Sequence, residues 1–362
     1  MFASIARRQT RLARDRPPRR QRLIALGVLA VVLAACSSNE GGHVATTSTT
    51  STTTTVTTST TSTTTTTTLP VAIAGTSLLR ARVAALAQAS TTLPNLYPGS
   101  DAWSKMVPIA YRSFGSGPDI LLIEGQDGTL SWWDATLLSD LSRHYHVTIF
   151  DLPGAGYSGA ATAPLSLAWL ADITAGFVLT VGLSDPIVLG WGLGGEIALS
   201  LAERHPQLVT SLVLVDSAFG GAGAIEPAPG VAALLGSPNA TPRALSALLF
   251  PGTTAGLQER VVWQSSLFVG TTDWLTARAI KAEAAVQAAT WKSSSLEKDL
   301  SQETVPALVV SGADDVVFPQ ENANVFASEM PRVTVDILPG SGYGAITQDE
   351  PAFVAALERF TG

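Results

Sequence analysis

The chain has 362 residues, 46% of them hydrophobic, with a single cysteine. That is enough apolar surface for a substantial core, and one cysteine excludes an intramolecular disulfide, so the fold rests on burial. The formal charge is −7, but eight arginines and one aspartate fall in residues 1–22. The remainder holds 14 basic and 28 acidic residues, a balance of −14 that argues against nucleic acid as a partner.

The arginine-rich start is followed by an apolar run of 13 residues, 23–35. It suits the apolar core of an export signal and falls short of the ~20 residues a membrane span needs. The run ends in Leu33-Ala34-Ala35-Cys36. This resembles the bacterial lipobox, in which a cysteine after small residues is acylated and becomes the mature N-terminus. The resemblance implies that residues 1–35 are a signal peptide and that Cys36 carries a lipid, anchoring an extracytoplasmic protein to the cell membrane. A secretory signal with an incidental cysteine, or an uncleaved anchor, are the competing readings. Residues 46–68 are threonine and serine apart from Val56, a composition that cannot bury apolar surface. Residues 36–75 are therefore expected to be a disordered tether, whose ~35 flexible residues have a root-mean-square span of roughly 30–35 Å. Residues 76–104 are read as an N-terminal extension.

From residue 105 short β-rich runs alternate with longer helical patterns. Strands are predicted at 107–113, 120–124, 147–151, 187–191, 212–216, 307–311 and 333–338. Most are unbroken apolar runs, which suit strands covered on both faces. Helices are predicted at 131–143, 165–181, 193–204, 321–329 and 352–360. The alternation points to an α/β, doubly wound, mostly parallel sheet. About 85 residues separate the strand ending near Asp216 from the one starting at Ala307. Helical patterns at 241–249, 258–268 and 272–291 make this insertion, about 220–304, a helical cap over one edge of the sheet.

The turn Gly190-Trp191-Gly192-Leu193-Gly194 has the shape of a nucleophile elbow, G-x-S-x-G, with glycine at the serine position. Other pieces accompany it in order: "ILLIEG" where a strand ends in His-Gly, "DLPGAGYS" matching D-x-P-G-x-G-x-S, "VVSGADD" at the acid position, "LPGSGYG" at the base position, and "DEPAFVAALERF" as a closing helix. Over residues 105–362 the chain resembles the α/β-hydrolase family. The resemblance implies an α/β-hydrolase fold and maps the catalytic acid to Asp315, the base position to Tyr343 and the nucleophile position to Gly192. Only the acid is retained.

Acyl transfer needs a hydroxyl, an imidazole and an orienting carboxylate acting together. Gly192 has no atom to attack a carbonyl, and the Tyr343 phenol, with an ordinary pKa near 10, is neutral at pH 7. Of the four histidines, His43 lies in the tether, His144 and His146 at the wrong end of a strand, and His205 at the far end of the elbow helix, ~18 Å away. Glycine at 192 is expected to relax a turn that other residues hold under strain. Glu124, where the family has histidine, adds negative charge where an oxyanion would form. Either Glu124 is buried against backbone N–H groups or Tyr343, or it contacts a ligand; Asp315 either caps a turn or bonds Tyr343. Asp314 is read as a solvated loop residue. The backbone N–H groups of Gln126 and Leu193 occupy the oxyanion-hole positions. Trp132, Trp133 and Trp191 lie near the mapped crevice, as packing or as ligand contacts. Ligand contacts are thus expected from Glu124, Gln126, Trp191, Leu193 and Tyr343, with no metal and no cofactor. Three functions stay open: a lipid-anchored, non-catalytic protein binding a small apolar ligand or a protein; a hydrolase using Glu124 and Asp315 as a carboxylate pair; and a structural cell-surface protein with a filled crevice. Crevice volume separates them.

Overall fold

A computed structural model describes residues 89–94, 106–161, 164–240, 242–266, 275–292 and 296–362. The signal, Cys36, the tether and most of the 76–104 extension lie outside these residues. An eight-stranded sheet has the order β1-β2-β4-β3-β5-β6-β7-β8. The strands are β1 (Ala89–Pro94), β2 (Met106–Gly115), β3 (Asp119–Ile123), β4 (His146–Phe150), β5 (Ile187–Trp191), β6 (Ser211–Val215), β7 (Ala307–Gly312) and β8 (Val333–Leu338). β1 and β2 are antiparallel to their neighbours, and β4 through β8 run parallel with β3 among them. β1 corrects the sequence boundary at residue 105. It falls in the segment read as an extension and pairs Leu93 with Val107; its run A-S-T-T-L-P carries too little apolar pattern to announce a strand.

The helices between strands are α1 (Ala135–Leu141), α2 (Leu167–Val181), α3 (Leu193–Arg204), the cap helices α4 (Pro229–Leu235), α5 (Pro242–Leu249), α6 (Thr254–Ser266), α7 (Ala277–Lys292) and α8 (Leu296–Asp299), then α9 (Glu321–Glu329), α10 (Ala345–Gln348) and α11 (Glu350–Thr361). Local chemistry sets several ends. Asp134 caps α1 by accepting from the Thr136 N–H, and Ser166 caps α2 by accepting from the Trp169 N–H. α2 stops at Gly182, whose φ of 76° is the left-handed conformation common after a last turn. The helix expected over 131–143 shortens because Leu130–Trp132 forms a separate 3₁₀ turn before the Asp134 cap.

Strand side chains alternate between two cores. Leu121 and Ile123 of β3 pack with α2, α3 and α9, whereas Ile120 and Leu122 pack with α1, α11 and the cap residues Leu249, Trp263 and Trp291. Both faces are dry, which explains the unbroken apolar runs. Three expected strands end one residue early. Glu124, Asp151 and Asp216 follow β3, β4 and β6 instead of closing them, so the carboxyl edge of the sheet carries a row of acids. The cap is fastened to that edge by hydrogen bonds: Gln287 Nε2 to Glu196 at 2.8 Å, the Asp127 N–H to Glu283 at 2.8 Å, and Asn322 exchanging two bonds with the Ile225 backbone. Among the described residues no helix is long and apolar enough to cross a membrane.

Candidate functional site

β5 runs into α3 through Gly192, which has φ 56° and ψ −119°. Its N–H donates to the Val215 carbonyl at 2.9 Å, and its own carbonyl accepts from the Gly195 N–H at 2.9 Å and the Ser217 hydroxyl at 2.8 Å. A Cβ on Gly190 would overlap the Gly194 carbonyl, and one on Gly194 would overlap that of Ile123, so the strand and helix meet too closely for side chains. The expectation that glycine relaxes this turn is corrected. The strained angle is kept, and glycine holds it without the ~1–3 kcal/mol that a side chain would cost.

The reason for glycine lies opposite it. A Cβ on Gly192 would overlap the Tyr343 hydroxyl and come within 3.0 Å of its Cζ and 3.2 Å of Phe318 Cε2. A Cβ on Gly125 would lie 2.6 Å from the same hydroxyl. The phenol therefore fills the space that a nucleophile's side chain needs. Tyr343 is held there by the Trp191 indole, which donates to its carbonyl at 2.8 Å and lies 5.1 Å from its ring, and by the Phe318 ring at 5.7 Å. Burial, then Asp315, Asp216, Asp127 and Glu196, raise the phenol well above its ordinary pKa. It stays neutral and is no base.

Asp315 is buried. Its Oδ1 accepts from the Val317 and Phe318 N–H groups at 2.7 and 3.1 Å, so it caps the turn that carries Phe318. Burial pushes it up to about 8. Glu124 is 1% exposed and accepts from the Leu152 N–H at 2.9 Å. Its carboxyl is raised well above the usual range by burial and by Asp151; Asp315, in turn, acts on Asp216. Among the described residues no three His, Cys, Asp or Glu side chains are grouped to hold a metal.

A cavity of about 90 Å³ lies between sheet edge and cap, bordered by Gln126, Gln287, Trp291, Val317, Phe318 and Tyr343, with apolar cap residues closing it. Gln126 and Tyr343 were expected as ligand contacts and line it. The other three are not on this cavity's wall: Glu124 and Leu193 are buried in the fold, and Trp191 packs against Tyr343. Trp133 is buried 6.1 Å from Trp191, and Trp132 packs edge-on to Trp263. His146 and His205 pair with Asp119 and Asp172, at 2.6 and 2.8 Å, away from the elbow. A larger groove of about 360 Å³ lies at the far end of α3 against α8 and shares no residue with the crevice.

The sequence reading missed Asp127, Glu196, Asp216, Glu283 and Gln287. Asp216 is fully buried, has φ 43°, and accepts from the Gly312 and Ala345 N–H groups at 2.8 and 3.2 Å. Asp127, at φ 62°, is raised to about 7 by burial; Glu196 and Glu283 are raised to about 8 for the same reason. Two non-glycine residues at positive φ beside one crevice mark a site where local strain is tolerated. A signal existed for Glu196, a lone charge inside the apolar helix "LGGEIALSLA". Glu283 and Gln287 sit four apart on α7, in a sequence otherwise like a solvated helix.

A strand-to-helix elbow at φ 56°, on a mixed sheet with a helical cap before β7, is the arrangement the motifs implied. Residues 118–246 match the family model for the alpha/beta hydrolase fold. The chain has the α/β-hydrolase fold. An α/β-hydrolase fold protein from Chitinophaga pinensis superposes with a TM-score of 0.64 at 23% identity, covering 77% of this chain and 98% of its own. A bacterial membrane phospholipase A gives 0.60 at 23% identity, with 80% and 92% covered. Among curated proteins, an uncharacterized protein of Mycobacterium tuberculosis is 28% identical over 272 residues, covering 69% of this chain and 77% of its own length. A pimeloyl-[acyl-carrier protein] methyl ester esterase of Vibrio campbellii is 37% identical over 107 residues, 30% of this chain and 40% of its own.

Proposed function

We propose that this α/β-hydrolase-fold protein is a non-catalytic binder of a small, largely apolar ligand, held at the cell membrane by a lipid on Cys36. One observation carries the non-catalytic part: the Tyr343 hydroxyl stands where a side chain at 192 would begin. The nucleophile is absent, and so is the room for it. The remaining cavity favours binding over a purely structural role, because the crevice is narrowed and not filled. At about 90 Å³ it is smaller than the ~150 Å³ cavity known to admit benzene, so the ligand, or the part of it that enters, has few heavy atoms. The test is turnover of a short-chain activated ester, with fluorophosphonate labelling as a second readout. Neither should exceed background.

The esterases and lipases among the structural relatives favour a second reading, a hydrolase with unorthodox residues. Ester turnover by the wild-type chain that Asp315→Asn or Glu124→Gln abolishes would install that reading. The anchor has its own test: Cys36→Ala should move the protein from the detergent phase to the aqueous phase, and continued membrane partitioning would make the apolar run itself the anchor.

A further inference from the structure

The cap breaks the charge pattern of the chain. Residues 242–292, which span α5, α6 and α7, hold five basic residues against three acidic ones; the other residues beyond position 22 hold nine against 25. One of the three cap acids, Glu283, is 1% exposed and turned inward to the Asp127 N–H. These helices are therefore a basic island in an acidic chain.

On α7 the cations share one side. Glu283 and Gln287 face the carboxyl edge of the sheet through Asp127 and Glu196. Arg278, Lys281 and Lys292 lie ~160–220° round the helix from Glu283, at ~100° per residue, so they point away from that edge. All three are exposed, and the exposed positions between them, such as Ala285 and Ala289, carry no acid. Elsewhere on the body arginines are spent on neighbours: Arg143 on Asp140, Arg204 on Asp172, Arg359 on Asp336, and Arg332 on the Thr304 carbonyl. Arg278, Lys281 and Lys292 make no ion pair among the described residues.

The preceding cap helix adds an apolar feature. Trp263 of α6 packs inward on Phe250 and Trp132. Leu257 and Val261, one turn apart on the outward side, are 46% and 64% exposed. Bare aliphatic side chains together with unpaired cations make a face suited to lipid, where the cations reach headgroup phosphates and the aliphatic chains enter the boundary beneath them. An acidic protein partner would use the cations and leave the aliphatic pair in water.

We infer that the outward side of α6 and α7 docks on an anionic lipid surface, with Arg278, Lys281 and Lys292 meeting headgroup phosphates and Leu257 and Val261 entering the interface. The inference goes beyond the ligand reading and does not require the lipid on Cys36. A tether alone favours no face of the body, whereas the cap selects one. α7 also lines the crevice through Ala284, Ala288 and Trp291, so a docked body holds the cap wall of the cavity against the membrane.

The test uses the full chain with Cys36→Ala and one new cysteine carrying a bimane label. The label sits at Val261→Cys or, as a control, at Leu179→Cys. Leu179 is 66% exposed near the end of α2, close to the amino edge of the sheet where Ser184 bonds Asp119. Vesicles carrying spin-labelled lipid report contact by quenching. They are made of equal parts phosphatidylglycerol and phosphatidylcholine, or of phosphatidylcholine alone. Position 261 should be quenched on the anionic vesicles and far less on the neutral ones, and position 179 on neither. Arg278→Glu, Lys281→Glu and Lys292→Glu together should cut the quenching at 261 about three-fold or more with the melting temperature unchanged. If that variant does not fold, the milder pair Arg278→Gln with Lys281→Gln is measured in its place. Equal quenching at 179 and 261, no quenching at 261, or quenching there that is indifferent to lipid charge or to these substitutions would each overturn the inference. The ligand reading stands or falls separately, on ester turnover.

Discussion

At the scale of single residues, Gly192 and Tyr343 behave as one unit. Gly192→Ser should cost about 2–6 kcal/mol, combining ~1–3 for the backbone angle with ~1–3 for overpacking against the phenol. Tyr343→Ala removes the obstruction. Chemical denaturation of the two single variants and the double should show a favourable coupling of ~0.5–3 kcal/mol, and strict additivity would mean that the phenol moves aside freely. The buried acids make a second residue-scale prediction. Asp127 stands at about 7, and Glu196, Glu283 and Asp315 at about 8, all above the ~4 of an unfolded chain. Between pH 4 and 8 the folded state therefore binds more protons than the unfolded state, so stability falls as pH rises through that window. The melting temperature should be higher at pH 5.5 than at pH 8.5, by on the order of 5 °C or more. Glu196→Gln should flatten the slope. A melting temperature that rises from pH 5.5 to 8.5 would mean that these carboxyls ionise freely in the fold.

At the scale of elements, α7 is the latch of the cap. Its Glu283 receives the Asp127 N–H, and its Gln287 reaches Glu196 on α3. Glu283→Ala removes an acceptor from the N–H of a residue already at φ 62°, which should cost about 1–3 kcal/mol. Amide exchange should rise first at Asp127 and along α7 while β5 and β6 stay protected; uniform loosening would deny the latch. This level also shows what the sequence made legible. Strands with both faces buried are long apolar runs, so β3 through β7 could be read within a residue or two. α3 and α9 could be read to the residue, at 193–204 and 321–329. β1 could not be read, because its pairing with β2 supplies what its composition lacks. The site was half legible. The elbow, Asp315 and Tyr343 sit in short local motifs, but the acids facing them come from α3, α7 and the end of β6, and only the fold brings those together. The burial of Glu124 and Leu193 could not be read, because position in a motif gives no measure of burial.

At the scale of the whole molecule, the predicted tether and the folded body should differ in their resistance to protease. Flexible polar tracts are cut before packed domains. Limited proteolysis should therefore trim the N-terminal residues and leave a resistant body that retains β1, because β1 pairs along its length with β2. Loss of residues 89–94 in the first cuts would show that β1 is only loosely attached. The trimmed body should bind whatever the full chain binds, since every residue lining the crevice lies beyond residue 125.

The phenol beside Gly192 also bears on history. From this sequence, no single substitution leads back to a serine hydrolase. Serine arriving first meets an occupied space, and histidine arriving first at 343 vacates it without anything to activate. Serine at 192 overpacks against the phenol, and histidine at 343 removes the ring against which Trp191 and Phe318 pack. On the proposed reading, tyrosine at 343 acts as an evolutionary ratchet: a route to serine-hydrolase chemistry from this sequence is at least two mutations deep.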